Sequence, residues 1–323
     1  ASRSASSKSV GRGGLAEHRV IEGRHDEYKV VLALGRGTQS DVYVVARTSD
    51  EALFVAKYHH KSVVPKVAIR EAYLLAQLDH PNLLKHVESI YDKRFCIITE
   101  YCDLGTLGDF ITYLSSSGKR MTEEWVAEVL VQICLGLNHM HEQSVMHRDL
   151  KPSNLFLNRY GIIKIGDFGL SRVASGAMAQ TTCGTPYYMA PEVYMNKPYS
   201  LSSDVYSLGV TMYECCTLHM PFMATTANQL NAQKMERQWS CLTMKKYSQG
   251  LTDLIEWMLN PEPEKRPTVR QMLDSEYVKQ KMGALCQQSA SVVDSTSRWL
   301  QSDDTIDKST KPPLVIDNVS EMV

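Results

Sequence analysis

One polar stretch between two apolar runs constrains this chain more than any other feature of its sequence. Residues 147–154 read HRDLKPSN, and they lie between Val145-Met146 and the apolar run at 155–157. An ordinary core segment does not keep several ionisable side chains in such a place, because an unpaired buried charge is costly. The stretch therefore indicates that chemistry, rather than packing, accounts for these residues.

A second polar group follows the apolar strand predicted at 162–165, where Asp167 precedes Phe168 and Gly169. Asp149 can accept a hydrogen bond from a substrate hydroxyl, and Lys151 can neutralise a phosphoryl group in transfer. Asn154, five residues after Asp149, and Asp167 carry oxygen ligands of the kind that Mg²⁺ prefers. The order and spacing indicate magnesium-dependent phosphoryl transfer.

A glycine-rich segment, GRGTQSDV at residues 35–42, precedes these groups. Small residues let backbone amides approach phosphate oxygens, although a hairpin that needs two glycines explains the segment equally well by itself. A dinucleotide-binding fold would place a helix directly after the glycines, whereas residues 42–45 form an apolar β-branched run. The pattern favours a hairpin that covers phosphates, and Ser40 is small enough for its turn.

Lys57 ends an otherwise apolar strand at 54–56, where an unpaired ammonium would be costly. Glu71 lies on the next predicted helix, flanked by Ala68 and Ala72 of the buried stripe. A surface glutamate is the alternative interpretation. We expect Glu71 to pair with Lys57, which would then hold phosphate groups.

The composition sets limits on function. With 323 residues, 43% apolar and 22% charged, the chain has the composition of a soluble globular protein of one large or two moderate domains. A net charge of −1 gives no reason to expect nucleic acid, and no apolar run has the length of a membrane span. The eight cysteines show no metal-binding spacing and are expected to be reduced and mostly buried. We expect an intracellular, cytoplasmic location, with the nucleus as an alternative.

The chain divides into a folded part between two polar ends. Residues 1–26, rich in Ser, Gly and Arg, and the polar residues 281–323 are expected to be disordered. Residues 27–280 form the predicted domain: a β-rich part at 27–99 with one helix that starts near Pro65, a hinge at 100–106, and a helical part at 107–280. Helices are also predicted from Thr122 to about 142 and around 251–259.

Over residues 28–279 these motifs resemble those of eukaryotic serine/threonine protein kinases. In that family the Glu of an Ala-Pro-Glu motif, here Glu192, pairs with a buried Arg, here Arg266. An Asp in the position of Asp204 braces the catalytic loop, here residues 147–154. The presence of Lys151 two residues after Asp149, together with Thr185, resembles the pattern of the serine/threonine class of kinases. Residues 184–192, 196–199, 213–214 and 216–222 are similar to the NIMA-related kinases. The resemblance implies an α+β, bilobal kinase fold, with a small β-rich N-lobe, a larger helical C-lobe, ATP and Mg²⁺ as cofactors, and proteins with Ser or Thr acceptors as substrates.

The resemblance also implies an ATP site and a regulated activation segment. Adenine is expected on the backbone of Glu100 and Cys102, with Thr99 guarding the inner pocket. The expected ATP-binding residues are Leu34, Gly35, Gly37, Ser40, Val42, Ala56, Lys57, Thr99, Glu100, Cys102 and Phe156.

Arg148 is expected to be an unpaired cation that awaits a phosphate on Thr181, or secondly on Thr182, in the activation segment. Thr106 and Ser153 stand where kinases that require basic substrates tend to carry acidic residues, so a strong demand for arginine upstream of the acceptor is not expected. Two alternatives remain open, a kinase-fold scaffold and an ATP-binding switch without phosphotransfer. The oligomeric state is left open.

Overall fold

The computed structural model describes residues 19–37, 39–60, 65–92, 94–173, 186–239 and 246–289, which fall into two compact units. Of these residues, 19–72 and 86–101 belong to the first unit, and 73–85 and 102–289 belong to the second. The first unit is built on an antiparallel sheet and the second mainly on helices. This is the division into β-rich and helical parts that the sequence predicts.

The sheet of the first unit has six strands in the order β1-β2-β3-β4-β6-β5, and every neighbouring pair is antiparallel. The strands are β1 (Val20–Glu22), β2 (Glu27–Arg36), β3 (Ser40–Arg47), β4 (Leu53–His59), β5 (His86–Asp92) and β6 (Arg94–Glu100). Alternate β-branched and aromatic side chains cover one face, as expected for a half-buried sheet. The core residues are Ile21, Tyr28, Val30, Tyr43, Val45, Ala56, Tyr58, Ile90, Cys96 and Ile98.

The first strand corrects the predicted N-terminal tail. Residues 20–22 lie within the stretch 1–26 that was expected to be disordered, yet Ile21 is fully buried and pairs with Tyr28 of β2. The hairpin between the strands is closed where the Gly23 N–H donates to the Asp26 carbonyl at 2.8 Å. A Cβ on Gly23 would lie 2.5 Å from the same oxygen, so the turn requires glycine. Three apolar or acidic residues were too short a run to predict this strand.

Helix α1 (Pro65–Gln77) begins at the predicted proline, whose missing N–H is tolerated in the first turn. In the part of α1 that belongs to the first unit, Ala68, Glu71 and Ala72 are buried, while Lys66 and Arg70 are exposed. The buried stripe thus includes one carboxylate, at the position the sequence predicted.

The second unit contains eight helices among its described residues, and two short strand pairs. The helices are α2 (Leu107–Ser117), α3 (Glu123–Glu142), α4 (Pro191–Tyr194), α5 (Leu201–Thr217), α6 (Ala227–Met235), α7 (Gln249–Met258), α8 (Val269–Leu273) and α9 (Glu276–Ser289). The strand pairs are β7 (Val145–Met146) with β10 (Arg172–Val173), and β8 (Leu155–Leu157) with β9 (Ile163–Ile165). The starts of the two predicted helices α3 and α7 follow from their N-caps. The Thr122 hydroxyl accepts a hydrogen bond from the Trp125 N–H, and the Ser248 hydroxyl accepts one from the Leu251 N–H.

Helix α5 forms the centre of the second unit. Every residue from 203 to 213 is buried, whatever its polarity. A Cβ on Gly209 would lie 2.8 Å from the Met258 Cβ, so glycine is needed for the close approach of α5 to α7. Polar side chains on a helix so enclosed need partners in the protein. The partners of Ser203, Asp204 and Ser207 are Glu192, the backbone at 147–148 and the Tyr188 carbonyl.

The last helix corrects the predicted C-terminal tail. Residues 281–289 were assigned to a disordered tail, yet α9 continues to Ser289. Val278 is fully buried, the Tyr277 hydroxyl donates to Glu123 at 3.2 Å, and the Lys281 ammonium lies 3.5 Å from the same carboxylate. The contacts of Tyr277 and Lys281 anchor the first half of α9 at the start of α3, and their partner Glu123 is distant in sequence. No helix in the described part of the chain is both long and apolar enough to cross a bilayer.

Candidate active site

In the first unit, Lys57 of β4 and Glu71 of α1 form the expected ion pair. The Lys57 ammonium lies 2.6 Å from the Glu71 Oε1, and Glu71 is 3% exposed. The interpretation of Glu71 as a surface residue is therefore wrong. His59, which the sequence analysis missed, lies on the same face of β4 and places its Nε2 3.6 Å from the other Glu71 oxygen. The Glu71 carboxylate thus has Lys57 in hydrogen-bond contact and His59 nearby, and a histidine two residues after a lysine on the same face of the strand was the available signal.

The glycine-rich segment joins β2 to β3. Gly35 pairs with Val42 in the sheet, and the Gly37 N–H donates to the Ser40 carbonyl at 2.8 Å. A Cβ on Gly35 would meet nothing within 4 Å, so the packing of this chain does not itself require glycine there. Open space over a glycine fits a ligand that approaches the backbone closely.

Asp41, at the start of β3, is a second residue that the sequence analysis missed. Its carboxylate accepts hydrogen bonds from His60 at 3.1 Å and Arg94 at 3.2 Å. Burial alone would raise the pKa of Asp41, but these two partners hold it below its usual value. The contacts fasten the start of β3 to residues at the ends of β4 and β6.

The other expected ATP-binding residues fall on both units. In the first unit, Ala56 and Thr99 are buried, Val42 and Glu100 are half-buried, and Leu34 is 44% exposed. In the second, Cys102 is buried, and Phe156 is half-buried and forms a β-bridge with Thr106.

In the second unit, the catalytic loop presents Asp149 between two side chains. The Lys151 ammonium donates to the Asp149 Oδ2 at 2.7 Å. The Asn154 amide nitrogen donates to the backbone oxygen of Asp149 at 2.7 Å and to Oδ2 at 3.1 Å. The carboxylate therefore has a fixed orientation and bears two donors on one oxygen.

The same contacts orient Asn154 as a metal ligand. Because its amide nitrogen is turned toward Asp149, its amide oxygen points away from that residue and can serve a cation. The Gly166 N–H donates to the Asn154 carbonyl at 2.9 Å, which brings the residue before Asp167 into contact with Asn154, just after β9. Asp167 is exposed and has a left-handed backbone, with φ of 60°. An amide oxygen and an exposed carboxylate are ligands of the kind that Mg²⁺ prefers.

Asp204 of α5 fixes the catalytic loop from within the unit. Its fully buried carboxylate accepts from the backbone N–H groups of His147 and Arg148, both at 2.9 Å, and from His141 and Tyr199 at 3.0 and 2.7 Å. Burial would raise the pKa of Asp204, but the donors hold it below its usual value. The brace expected of this residue is present.

Arg148 differs from its expectation. It was predicted to be an unpaired cation, but it is 5% exposed and its guanidinium lies 5.2 Å from the centroid of the Tyr199 ring. Its backbone has φ of 73°, a conformation that costs about 1–3 kcal/mol and that the bonds to Asp204 maintain. The aromatic partner lies fifty-one residues away in sequence, so no local pattern predicted it.

Glu192 and Arg266, the two residues expected to pair, are in contact. The Glu192 carboxylate accepts two hydrogen bonds from the Arg266 guanidinium, each at 2.7 Å, and both residues are buried. Thr181, Thr182 and Thr185 lie outside the described residues.

Comparison with known proteins identifies a family and several relatives. Residues 28–278 match the family model described as protein kinase domain. The chain is 39% identical over 260 residues to the serine/threonine-protein kinase Nek4 of Mus musculus, an alignment that covers 78% of this chain and 32% of the relative. It is 34% identical to Nek2 and to Nek11 of Homo sapiens, with 79% of this chain covered in each case and 60% and 41% of the relatives.

The similarity to NIMA-related kinases, and the kinase fold with its β-rich and helical parts, are thereby confirmed. The chain spans about a third of the length of the first of these relatives. With a family model that matches most of its length, the chain belongs to the protein kinase domain family.

Proposed function

We propose that this chain is a serine/threonine protein kinase, which transfers the γ-phosphate of ATP to Ser or Thr hydroxyls of protein substrates. The observation that carries the proposal is the Asp149 carboxylate, held by Lys151 and Asn154 on a loop whose backbone is fixed by Asp204. A carboxylate in this setting can accept the proton of a substrate hydroxyl, and the adjacent ammonium can stabilise charge on the transferred group.

The residues of each unit fit a part of the ATP and Mg²⁺ requirement. Lys57, held by Glu71, would bind phosphate oxygens, and the open backbone at Gly35 would lie over them. Asn154 and Asp167 would hold the metal. ATP supplies the phosphoryl group when bound, and Mg²⁺ neutralises its charge.

Arg148 and the threonines of the activation segment support a regulated activity. We propose phosphorylation at Thr181, with Thr182 as the second choice, because a phosphate added there could pair with arginine. Since Arg148 already lies on Tyr199, the phosphate would have to compete with that ring contact. An intracellular, cytoplasmic location is also proposed, and the free, buried state of Cys96, Cys102, Cys134, Cys215 and Cys216 suits a reducing compartment.

The decisive experiment measures transfer of labelled phosphate from ATP with Mg²⁺ to a generic protein acceptor, by the wild type and by Asp149→Asn. Loss of a general base usually costs about 10²- to 10⁴-fold in rate, so we expect a loss in this range. Asp253→Asn, at an exposed position of α7, is the matched control and should retain full activity.

ATP binding, measured separately by fluorescence titration, distinguishes the alternatives. Binding without transfer by the wild type would favour the ATP-binding switch, and neither binding nor transfer would favour the scaffold. Equal transfer by wild type and Asp149→Asn would refute the role given to Asp149.

A further inference from the structure

Lys234 of α6 is a fully buried lysine whose ammonium bonds only to backbone carbonyls among the described residues. Its Nζ donates to the carbonyl oxygens of Pro186 at 2.7 Å and Met189 at 2.6 Å, and lies 5.5 Å from the centroid of the Tyr194 ring. Lysine is almost never fully buried without a partner. An ammonium placed there, on a helix whose residues Ala232 and Met235 are exposed, indicates a specific role for the segment it contacts.

The cost of this burial is large. Burial lowers the pKa of Lys234 to about 7, although the Glu192 carboxylate acts in the opposite direction. Glu192 is itself engaged by Arg266, so it is not a direct partner of the lysine. Lys234 therefore keeps its two carbonyl contacts although burial makes its side chain harder to protonate.

The segment 186–189 is fixed from a second side by α5. The Ser207 hydroxyl donates to the Tyr188 carbonyl at 2.9 Å, and the Tyr188 hydroxyl donates to Glu214 at 2.5 Å. Ser207 lies one turn beyond Asp204, on the same face of the helix. The face of α5 that holds the catalytic loop thus also holds this segment, which places the segment beside the loop.

Three of the four carbonyls of 186–189 are therefore anchored, two by Lys234 and one by Ser207. Tyr187 between them is 37% exposed and Pro186 is exposed as well. A rigid backbone with exposed ring side chains beside the catalytic loop is suited to receive an extended peptide.

We propose that Lys234 is a positioning residue for the protein substrate: it holds residues 186–189 as a platform on which the residues next to the Ser or Thr acceptor pack. This inference rests on the proposed kinase activity. It assigns α6 a part in substrate binding without direct contact to the substrate.

The test compares steady-state kinetics of wild type and Lys234→Met with a protein substrate and with ATP. Methionine keeps the apolar volume and removes both hydrogen bonds, so the KM for the protein substrate should rise about 10-fold or more. The kcat and the KM for ATP should stay within about two-fold. Lys265→Met, which removes an exposed lysine, should leave all three constants unchanged.

The separation of KM from kcat distinguishes positioning from a general structural role, because partial unfolding would lower the active fraction and hence kcat. A fall in kcat with an unchanged substrate KM would overturn the proposal. Should Lys234→Met not fold, Tyr187→Ala at an exposed position tests the platform that Lys234 is proposed to hold: its substrate KM should rise, and an unchanged value would overturn the proposal.

The wild type is assayed first for transfer. No transfer by the wild type contradicts the proposed function itself, whereas normal transfer with an unchanged KM in both variants contradicts only the role of Lys234.

Discussion

The ion pair between Glu192 and Arg266 allows the effect of one substitution to be worked out donor by donor. A guanidinium has five N–H donors, and each one in Arg266 has an acceptor: two bond to Glu192 and the others to the carbonyls of Asn260, Ser202 and Pro261. Replacing Arg266 by Met would leave a buried carboxylate and three carbonyls without these donors. The Ser203 hydroxyl, 2.7 Å from Glu192, cannot compensate a full charge.

Breaking a buried ion pair from one side costs about 3–5 kcal/mol, so we expect Arg266→Met to lower the free energy of unfolding by this amount. At about 2–4 °C per kcal/mol for a domain of 150–250 residues, the thermal midpoint should fall by roughly 6–20 °C. Glu192→Gln keeps one oxygen acceptor and should lie at the lower end. The double variant has no unpaired charge, so it should be more stable than the sum of the single effects predicts, by about 1–3 kcal/mol.

Urea unfolding followed by tryptophan fluorescence and far-ultraviolet circular dichroism measures these differences. Trp257 is a local reporter, because its indole N–H donates to the carbonyl of Lys265, next to Arg266. Arg270→Met is the matched control: its pair with Asp274 is exposed and should contribute less than about 1 kcal/mol. Equal destabilisation by Arg266→Met and Arg270→Met, or strict additivity in the double variant, would refute this reasoning.

Three further predictions concern Glu71, Thr181 and Lys234. Glu71→Gln should lower kcat/KM for ATP by about 10- to 150-fold, since it weakens a part-buried charge-assisted bond to Lys57 worth about 1.5–3 kcal/mol; ATP-dependent kinetics that match the wild type would contradict it. Thr181→Ala should lower phosphate transfer markedly, and a fully active variant would remove the regulatory proposal. The pKa of Lys234 is about 7 in the folded chain and about 10.5 in the unfolded chain, so the unfolded chain binds more protons between these values. The stability of the wild type relative to Lys234→Met should therefore rise between pH 7 and pH 10, by at most about 1.4 kcal/mol per pH unit in urea titrations, and a flat difference would show that the ammonium is not desolvated.

The sequence was sufficient wherever a polar residue interrupts an apolar pattern. Lys57 stands out because desolvation makes an ammonium costly at the end of an apolar strand, so Glu71 could be inferred as its partner before the contact was seen, and Asp149 stands out because it lies among polar residues between apolar flanks. The start of α1 at Pro65 followed from local backbone chemistry, which also needs no distant contact.

The sequence was insufficient where the partner is a distant residue or a backbone atom. Lys234 lies in a polar helix that predicts a surface position, and its acceptors are carbonyls some forty-five residues earlier, which have no pattern in a sequence. Arg148 and Tyr199 meet by tertiary packing. Strand β1 and the extension of α9 gain their stability from pairing and from contacts to Glu123, so composition alone wrongly assigned both to the tails.

The polar face of α5 explains how these distant contacts can serve one reaction without touching one another. Ser203 donates to Glu192, Asp204 holds the catalytic loop, and Ser207 holds the segment at 186–189. Because Gly209 lets α5 pack closely against α7, the helix is a rigid support, and its three polar residues set the relative positions of three functional segments. Substitutions that release the loop at Asp204 should therefore reduce kcat, whereas release of the segment at Lys234 should raise the substrate KM. Separate kinetic effects from two segments that α5 holds are what a rigid helix requires, and parallel losses in both constants would indicate instead that α5 itself shifts.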